Sequence, residues 1–313
     1  MMRKLDALRS ELERSVIGRK SEFDLMIIAM IQQGHVLLES VPGSGKTLMA
    51  KSFAGAIAGQ FRRMQFTPDV LPSDVTGIRF FNPRDQDFVL RIGPIHTNIL
   101  LADEINRATP RTQSSLLEAM EEKQVTIDGE TVKLPNPFMV IATQNPVESQ
   151  QGTFPLPAAQ LDRFLFRIEI GYPDLDEEKK ILADFGKNPG KVMADSIVSL
   201  EDVMRWSKEV KEIAVHEDIQ AYIVHIVRAT REHHSIEIGL SSRAALAILQ
   251  AAQGMSFLEG RNFTNPDDVK AVLPHIAGHR IVLTPEGMLT REVGEVMEEI
   301  VSSVPAPVEA VMK

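Results

Sequence analysis

The fold is decided by the stretch Val36-Leu37-Leu38-Glu39-Ser40-Val41-Pro42-Gly43-Ser44-Gly45-Lys46-Thr47. It indicates a buried strand, a tight loop and the first turn of a helix, which is the arrangement of a phosphate-binding P-loop. The backbone N–H groups of such a loop point inward, and the helix that follows adds the positive end of its dipole. We expect Lys46 to reach the outer phosphates of a nucleotide and the Thr47 hydroxyl to ligate magnesium. The predicted nucleotide contacts are Pro42, Gly43, Ser44, Gly45, Lys46, Thr47 and Leu48.

The first position of this P-loop is Ser40, where the full pattern has glycine. A serine fits there if its φ angle is negative, whereas a left-handed conformation would cost it energy that glycine avoids. The competing interpretation of residues 43–47 is a chance turn before a helix. The motifs in the rest of the chain argue against a chance turn.

Composition limits the classes of protein to consider. The 313 residues are 43% hydrophobic and 25% charged, which is typical of a soluble globular protein, and the length suggests about two domains. The net charge of -9 and the lack of a Lys/Arg-rich run argue against nucleic acid as the main partner. The chain has no cysteine, which excludes disulfides and thiolate metal sites. Without a long uncharged apolar run or a signal-peptide pattern, we expect a cytoplasmic protein with no membrane span.

A second chemical motif lies at residues 99–104, where Asp103 and Glu104 follow four apolar residues. An apolar run of this kind is typical of a buried parallel strand, and its carboxyl end faces the crevice where α/β sheets bind ligands. Asp103 can hold magnesium through water, and Glu104 can polarise an attacking water as a general base. The alternative is that Asp103 caps a helix. The P-loop upstream favours magnesium and water.

Two further polar residues are candidates for the same site. Asn145 follows the buried strand predicted at residues 138–143 and could orient the catalytic water, although an asparagine before a proline is also a common turn. Arg163 follows a short predicted helix and could stabilise charge on the γ-phosphate of a neighbouring subunit. The alternative for Arg163 is pairing with Asp162 or contact with solvent.

Apolar periodicity divides the chain near residue 172. Strands are predicted at residues 36–39, 64–67, 99–104, 138–143 and 166–170, and hairpins at about 80–90 and 124–134. His35 is expected at the edge of the first strand. Helices are predicted to start near residues 201, 216, 241, 265 and 290. We therefore predict an α/β core over residues 1–172 and a small helical domain over residues 173–313.

Together these motifs resemble those of the MoxR family of AAA+ ATPases over essentially the full chain. The resemblance rests on Gly34-His35-Val36-Leu37-Leu38-Glu39, Ala102-Asp103-Glu104-Ile105-Asn106-Arg107-Ala108, Leu116-Leu117-Glu118-Ala119-Met120, Ala142-Thr143-Gln144-Asn145-Pro146, Leu161-Asp162-Arg163-Phe164, Gly260-Arg261 and His279-Arg280. The resemblance implies an α/β P-loop core with a parallel sheet in the order 5-1-4-3-2. It also implies a helix-2 insert near residues 80–90 and a small all-helical lid domain after the core.

The resemblance also implies a role for each candidate residue. These roles are Walker A for Lys46 and Thr47, Walker B for Asp103 and Glu104, sensor 1 for Asn145, arginine finger for Arg163 and sensor 2 for Arg243. ATP and Mg²⁺ are the implied cofactors, with Thr47 and Asp103 as the metal ligands. The segment before Arg243 reads Gly239-Leu240-Ser241-Ser242, where the family usually has a proline just before the arginine.

The resemblance further implies ATP hydrolysis at the subunit interfaces of a hexameric ring. Many members of the family work with proteins that carry von Willebrand factor A domains, and they are described as chaperone-like factors that remodel or activate a client protein or insert a cofactor into it. Two alternatives stay open on the sequence. One is a nucleic-acid-stimulated AAA+ motor, and the other is a nucleotide-gated scaffold that does not hydrolyse ATP.

Overall fold

The structure, a computed structural model, describes residues 2–40, 43–84, 86–145, 152–185 and 194–307. The chain divides into two compact units. The first comprises Met1–Phe164 and Ile168–Met204, and the second comprises Leu165–Arg167 and Arg205–Lys313. The predicted domain limits, residues 1–172 and 173–313, remain a prediction. The contacts within the structure group Ile168–Met204 with the first unit.

The elements up to residue 185 are a mixture of helices and strands. The helices are α1 (Met2–Ser15), α2 (Lys20–Ile31), α3 (Lys46–Ala56), α4 (Pro72–Thr76), α5 (Pro110–Glu122), α6 (Ala158–Leu161) and α7 (Leu175–Phe185). The strands are β1 (Val36–Ser40), β2 (Phe61–Gln65), β3 (Gly77–Asn82), β4 (Asp87–Ile92), β5 (Ile99–Asp103), β6 (Gln124–Ile127), β7 (Glu130–Lys133), β8 (Met139–Gln144) and β9 (Phe166–Ile170).

Five of these strands form one sheet in the order β2-β5-β8-β1-β9. The pairs β2–β5, β5–β8 and β8–β1 are parallel. Numbered one to five in chain order, the strands of this sheet are β1, β2, β5, β8 and β9. Read from β9 to β2, the sheet then has the order 5-1-4-3-2, which confirms the prediction. Every residue of β1 and β5 is buried, because helices cover both faces of the central strands. The carboxyl ends of β5, β8 and β1 therefore lie side by side at one edge of the sheet.

Two antiparallel hairpins stand outside this sheet, as predicted. In the first, β3 pairs with β4 from Gly77 opposite Ile92 to Asn82 opposite Asp87. In the second, β6 pairs with β7 through a two-residue turn at Asp128 and Gly129, which both have positive φ angles. Such a turn matches the right-handed twist of the two strands that it joins. Arg79 of β3 forms an ion pair with Glu130 of β7, so the two hairpins contact each other.

The remaining elements are mainly helical. The helices are α8 (Leu200–Glu209), α9 (Glu217–Glu232), α10 (Ser242–Leu258), α11 (Pro266–Ala277), α12 (Pro285–Thr290) and α13 (Val293–Ser303). The second unit also contains β10 (Ile236–Ile238) and β11 (Val282–Leu283), which pair in antiparallel fashion. The lid was predicted to be all-helical. β10 has three residues and β11 has two, which are too few to form a recognisable alternating pattern in the sequence. Trp206, the single tryptophan of the chain, is buried in this unit beside Phe257.

No helix in the part of the chain that the structure describes is long and apolar enough to span a lipid bilayer.

Candidate active site

The P-loop backbone depends on two glycines. Gly43 has a φ angle of 83° and Gly45 has one of 88°, so both lie in the left-handed region that other residues rarely adopt. Gly45 is also the N-cap of α3, which begins at Lys46. A side chain would meet no atom within 4 Å at either position, so backbone conformation rather than space requires glycine. Val41 and Pro42 lie outside the described residues, and the contact predicted for Pro42 stays a prediction.

Ser40 occupies the first position of the loop without strain. It is the last residue of β1 and has the extended backbone of a strand, in which serine is as acceptable as glycine. Its hydroxyl oxygen accepts a hydrogen bond of 2.7 Å from the hydroxyl of Ser44, and its carbonyl oxygen accepts one of 3.3 Å from the Lys46 ammonium. Ser40 therefore closes the loop through side-chain and backbone contacts.

The predicted nucleotide contacts Ser44, Gly45, Lys46, Thr47 and Leu48 are all half-buried, and Gly43 is exposed. Half-buried side chains and backbone N–H groups at the start of a helix remain accessible to a phosphate. The orphan N–H groups of the first turn of α3 need partners, since no residue precedes them in the helix. This segment can therefore bind an anion.

Asp103 ends β5 with both of its carboxylate oxygens engaged. Oδ1 accepts a hydrogen bond of 2.6 Å from the Thr143 hydroxyl. Oδ2 accepts hydrogen bonds from the guanidinium of Arg63, at 2.7 Å from Nη2 and 3.2 Å from Nε. The Asp103 side chain is only 10% exposed. A buried carboxylate needs such donors, because it has lost its contact with water.

Glu104 adopts an uncommon backbone conformation directly after β5. Its φ and ψ angles are 58° and 50°, which place a non-glycine residue in the left-handed region. Its backbone N–H donates a hydrogen bond of 2.9 Å to the Thr143 hydroxyl oxygen, and its carboxylate lies 2.9 Å from Nε of Arg107. Strain of this type costs on the order of 1–3 kcal/mol and is found most often at functional sites.

Thr143 is the site residue that the sequence analysis missed. It lies in β8, is fully buried, and uses one hydroxyl to contact both Asp103 and Glu104. The hydroxyl accepts from the Glu104 backbone and donates to the Asp103 carboxylate, so it fixes two consecutive motif residues at once. The available signal was a polar residue near the end of an otherwise apolar strand, which must find partners when buried.

Asn145 and Arg163 were the other candidates in the first unit. Asn145 directly follows β8 and is buried. Arg163 follows α6, and its Nη1 donates a hydrogen bond of 2.8 Å to the carbonyl oxygen of Leu117 in α5. The Glu121 carboxylate lies 3.9 Å from the same nitrogen. Arg163 is thus held against α5 of its own chain, and its side chain remains 32% exposed.

Comparison with known proteins decides the family. The model of the ATPase family associated with various cellular activities (AAA) matches residues 35–166, and that of an AAA lid domain matches residues 228–301. The protein named Chaperone MoxR1 from Mycobacterium tuberculosis is 41% identical over 287 residues, which cover 89% of this chain and 75% of that protein. This chain belongs to the MoxR family of AAA ATPases.

Two further comparisons extend this MoxR-family assignment. An uncharacterized Bacillus subtilis protein, YeaC, is 45% identical over 299 residues, which cover 95% of this chain and 93% of that protein. The crystal structure of a Cytophaga hutchinsonii protein, provisionally named an ATPase, superposes with a TM-score of 0.91 at 37% identity. The superposition covers 98% of this chain and 96% of that one, so both units of the fold are shared.

The last candidate of the MoxR-type site, Arg243, lies in the second unit. It is exposed in the first turn of α10, which begins at Ser242. Ser241 is the N-cap of this helix, and its hydroxyl accepts a hydrogen bond of 3.1 Å from the backbone N–H of Ala244. Ser242, the first residue of the helix, stands where the resemblance places a proline, and the Ser241 cap precedes it. The sensor 2 role of Arg243 stays a prediction.

The proposed metal ligands fit Mg²⁺ by their chemistry. Magnesium prefers oxygen ligands, and in nucleotide sites it is held by one or two protein groups together with phosphate oxygens. Thr47 offers a hydroxyl in the first turn of α3, and Asp103 offers a carboxylate at the end of β5. At Asp103 such a metal would share the carboxylate with the donors Arg63 and Thr143.

Proposed function

We propose that this MoxR-family protein is a Mg²⁺-dependent ATPase that converts ATP and water into ADP and phosphate. The observation that carries the proposal is the pair Asp103 and Glu104, fixed by one Thr143 hydroxyl. This pair lies at the sheet edge where β1 leads into a glycine-dependent P-loop. Walker-type sites combine these parts because phosphoryl transfer needs positioning and charge stabilisation more than covalent chemistry.

Each residue then has one task in the proposed reaction. The loop N–H groups, Lys46 and Thr47 bind the phosphates of ATP. Bound Mg²⁺ would neutralise charge on those phosphates, with Thr47 and Asp103 as its protein ligands. Glu104 orients the attacking water and accepts its proton, and Asn145 holds the same water. Arg163 supplies positive charge to the γ-phosphate at the neighbouring subunit.

The proposal extends to assembly and partners. We propose a hexameric ring with ATP bound at subunit interfaces, a partner protein with a von Willebrand factor A domain, and a client protein that is remodelled, activated or supplied with a cofactor. A relative at 41% identity is named a chaperone, which supports a chaperone-like task. A cytoplasmic location belongs to the same proposal.

Ser40 also bears on the alternative of a nucleotide-gated scaffold. A serine in place of the first P-loop glycine is the sequence feature that favours a site that binds nucleotide without hydrolysing it. Its extended backbone and its bond to Ser44 keep the loop in order without a glycine. The nucleic-acid motor gains no support either, because the net charge of -9 opposes binding to a polyanion.

The test is a Glu104→Gln variant, compared with Glu122→Gln, which removes a charge from an exposed glutamate at the end of α5. We expect Glu104→Gln to bind ATP as the wild type does and to lose turnover by a factor of about 100 or more, because a general base is worth 10² to 10⁴ in rate. Glu122→Gln should keep full turnover. Unchanged turnover in Glu104→Gln would remove Glu104 as the base, and a wild type that neither binds nor hydrolyses ATP would end the proposal.

A further inference from the structure

The carboxylate of Asp103 is already matched by a cation of its own chain. Arg63 donates to Oδ2 through both Nη2 and Nε, and Thr143 donates to Oδ1. The adjacent carboxylate, Glu104, is likewise paired with Arg107. The two acids that would serve magnesium and water are therefore each paired with an arginine of the same chain.

The sheet register explains how Arg63 reaches Asp103. In the parallel pair β2–β5, Arg63 lies opposite Leu101 and Gln65 lies opposite Asp103. Side chains two residues apart on a strand share a face, so Arg63, Gln65 and Asp103 point to the same side. Gln65 accepts a hydrogen bond of 3.1 Å from Nη2 of Arg63, which holds the guanidinium beside the carboxylate.

The two partners differ in their access to solvent. The Arg63 side chain is 44% exposed, whereas that of Asp103 is 10% exposed. Since β2 is the edge strand of the sheet, the guanidinium approaches Asp103 from the solvent side. An arginine that leaves this position regains water at little cost, while Asp103 stays buried and must find another positive partner.

We propose that Arg63 is a positioning residue whose guanidinium stays paired with the Asp103 carboxylate until a nucleotide brings in the divalent cation. The inference rests on the proposed function, since it assigns a metal role to Asp103. With Arg63 in place, the pair has no net charge and attracts a free divalent cation weakly. A nucleotide triphosphate adds its own negative charge, so a divalent cation bound with the phosphates would compete with the guanidinium for the Asp103 carboxylate. Arg63 thus couples metal binding to nucleotide binding.

The test measures Mn²⁺ binding, which electron paramagnetic resonance follows directly, to the nucleotide-free protein and to the protein saturated with ATP. We expect Arg63→Gln to bind Mn²⁺ about tenfold more tightly than the wild type without nucleotide, because the competing charge is gone. With ATP present, the difference should fall to about threefold or less. The matched control is Arg62→Gln, which removes an exposed charge whose side chain points to the other face of β2.

Two more variants keep the test decisive. Arg63→Lys retains a cation and should exclude Mn²⁺ nearly as well as the wild type, and circular dichroism checks that each variant is folded. The double variant Arg63→Gln/Asp103→Asn should lose the added Mn²⁺ affinity. Equal Mn²⁺ affinities in Arg63→Gln and Arg62→Gln would overturn the role of Arg63, even with normal ATP turnover. Absence of Mn²⁺ binding and turnover with ATP in the wild type would instead overturn the proposed function.

Discussion

At the scale of single residues, the buried imidazole of His35 forms hydrogen bonds with two backbone groups. Its Nδ1 accepts a hydrogen bond of 3.0 Å from the Val140 N–H in β8, so the ring proton lies on Nε2. Nε2 then donates to the Met120 carbonyl oxygen in α5 at 3.2 Å. The neutral ring therefore joins a central strand to a helix, and burial lowers the pKa of His35 from 6.5 to about 4.

This lowered pKa predicts a loss of stability in acid. Between pH 6.5 and about 4 the unfolded chain binds a proton at His35 that the folded chain does not. The stability contribution is therefore complete above pH 6.5 and falls by up to about 3 kcal/mol as the pH drops toward 4. Urea unfolding followed by circular dichroism at a series of pH values measures this slope. In His35→Gln, the free energy of unfolding should change less with pH over the same range. The control is His96→Gln, which replaces a half-buried histidine. An equally steep slope in His35→Gln would assign the acid sensitivity to other groups.

Individual site residues were predictable where their own motif identified them. Lys46, Asp103 and Glu104 stand at or just beyond the ends of strands that begin with an apolar run, and the structure has those strands, buried throughout. His35 was predicted at a strand edge and is buried, because its partners Met120 and Val140 lie about a hundred residues away in the sequence. Contacts of this kind, such as those of Thr143 and Arg63, depend on strand order and register.

At the scale of elements, the start of α11 shows a reciprocal cap. The Asn265 side chain accepts a hydrogen bond of 3.0 Å from the Asp268 N–H, and the Asp268 carboxylate accepts one of 2.8 Å from the Asn265 N–H. Asp268 is buried and also accepts from Arg261 and Ser256. The capping box thus connects the helix to the loop that precedes it.

The cap predicts graded losses in two variants of one residue. Asn265→Ala should destabilise the second unit by about 1 kcal/mol, whereas Asn265→Gly should cost only a few tenths, because glycine leaves the N–H groups open to water. Fluorescence of the buried Trp206, the only tryptophan, reports the unfolding of this unit in urea. Equal losses for alanine and glycine would show that the side-chain cap is not the source of the effect.

Element bounds were predictable where strong local signals exist. The helix predicted to start near residue 265 is found as α11 with Pro266 at its first position. The strand predicted at residues 64–67 is instead β2, Phe61–Gln65. This edge strand carries Arg62 and Arg63, and only its partner strand shows that they belong to the sheet. Apolar patterning finds buried strands well and polar edge strands poorly.

At the scale of the whole molecule, the proposed ring requires each site to be completed by a neighbour. The sheet order follows from the family resemblance and is confirmed, but the assembly is a proposal. The chain after β9 also returns to the first unit, where the N–H groups of Ile197 and Val198 donate to the Ala56 carbonyl oxygen. Ile57 and Val198 form an isolated β-bridge at this place. An isolated bridge has no periodic signal in the sequence, so the prediction of a division near residue 172 could not take this contact into account.

The shared site predicts recovery of activity in mixtures. Arg163→Ala lacks the finger and Lys46→Ala lacks nucleotide binding, so each should be nearly inactive alone. Mixed in equal amounts, they should recover about a quarter of wild-type turnover, because a quarter of the interfaces then combine an intact loop with an intact finger. ATP turnover at a series of mixing ratios measures this recovery. A mixture of Lys46→Ala with Glu104→Gln is the control and should stay inactive, since both changes affect the same side of the interface. Lack of recovery at every ratio would contradict a finger acting on a neighbour.

The extended backbone at Ser40 has a consequence for how such proteins are found. A search pattern that insists on glycine at the first P-loop position would overlook this chain, although its backbone makes no demand for glycine there. The demand lies at Gly43 and Gly45, where φ angles above 80° exclude most side chains. A pattern that fixes those two glycines and leaves the first position open to small residues would recover sequences of this kind.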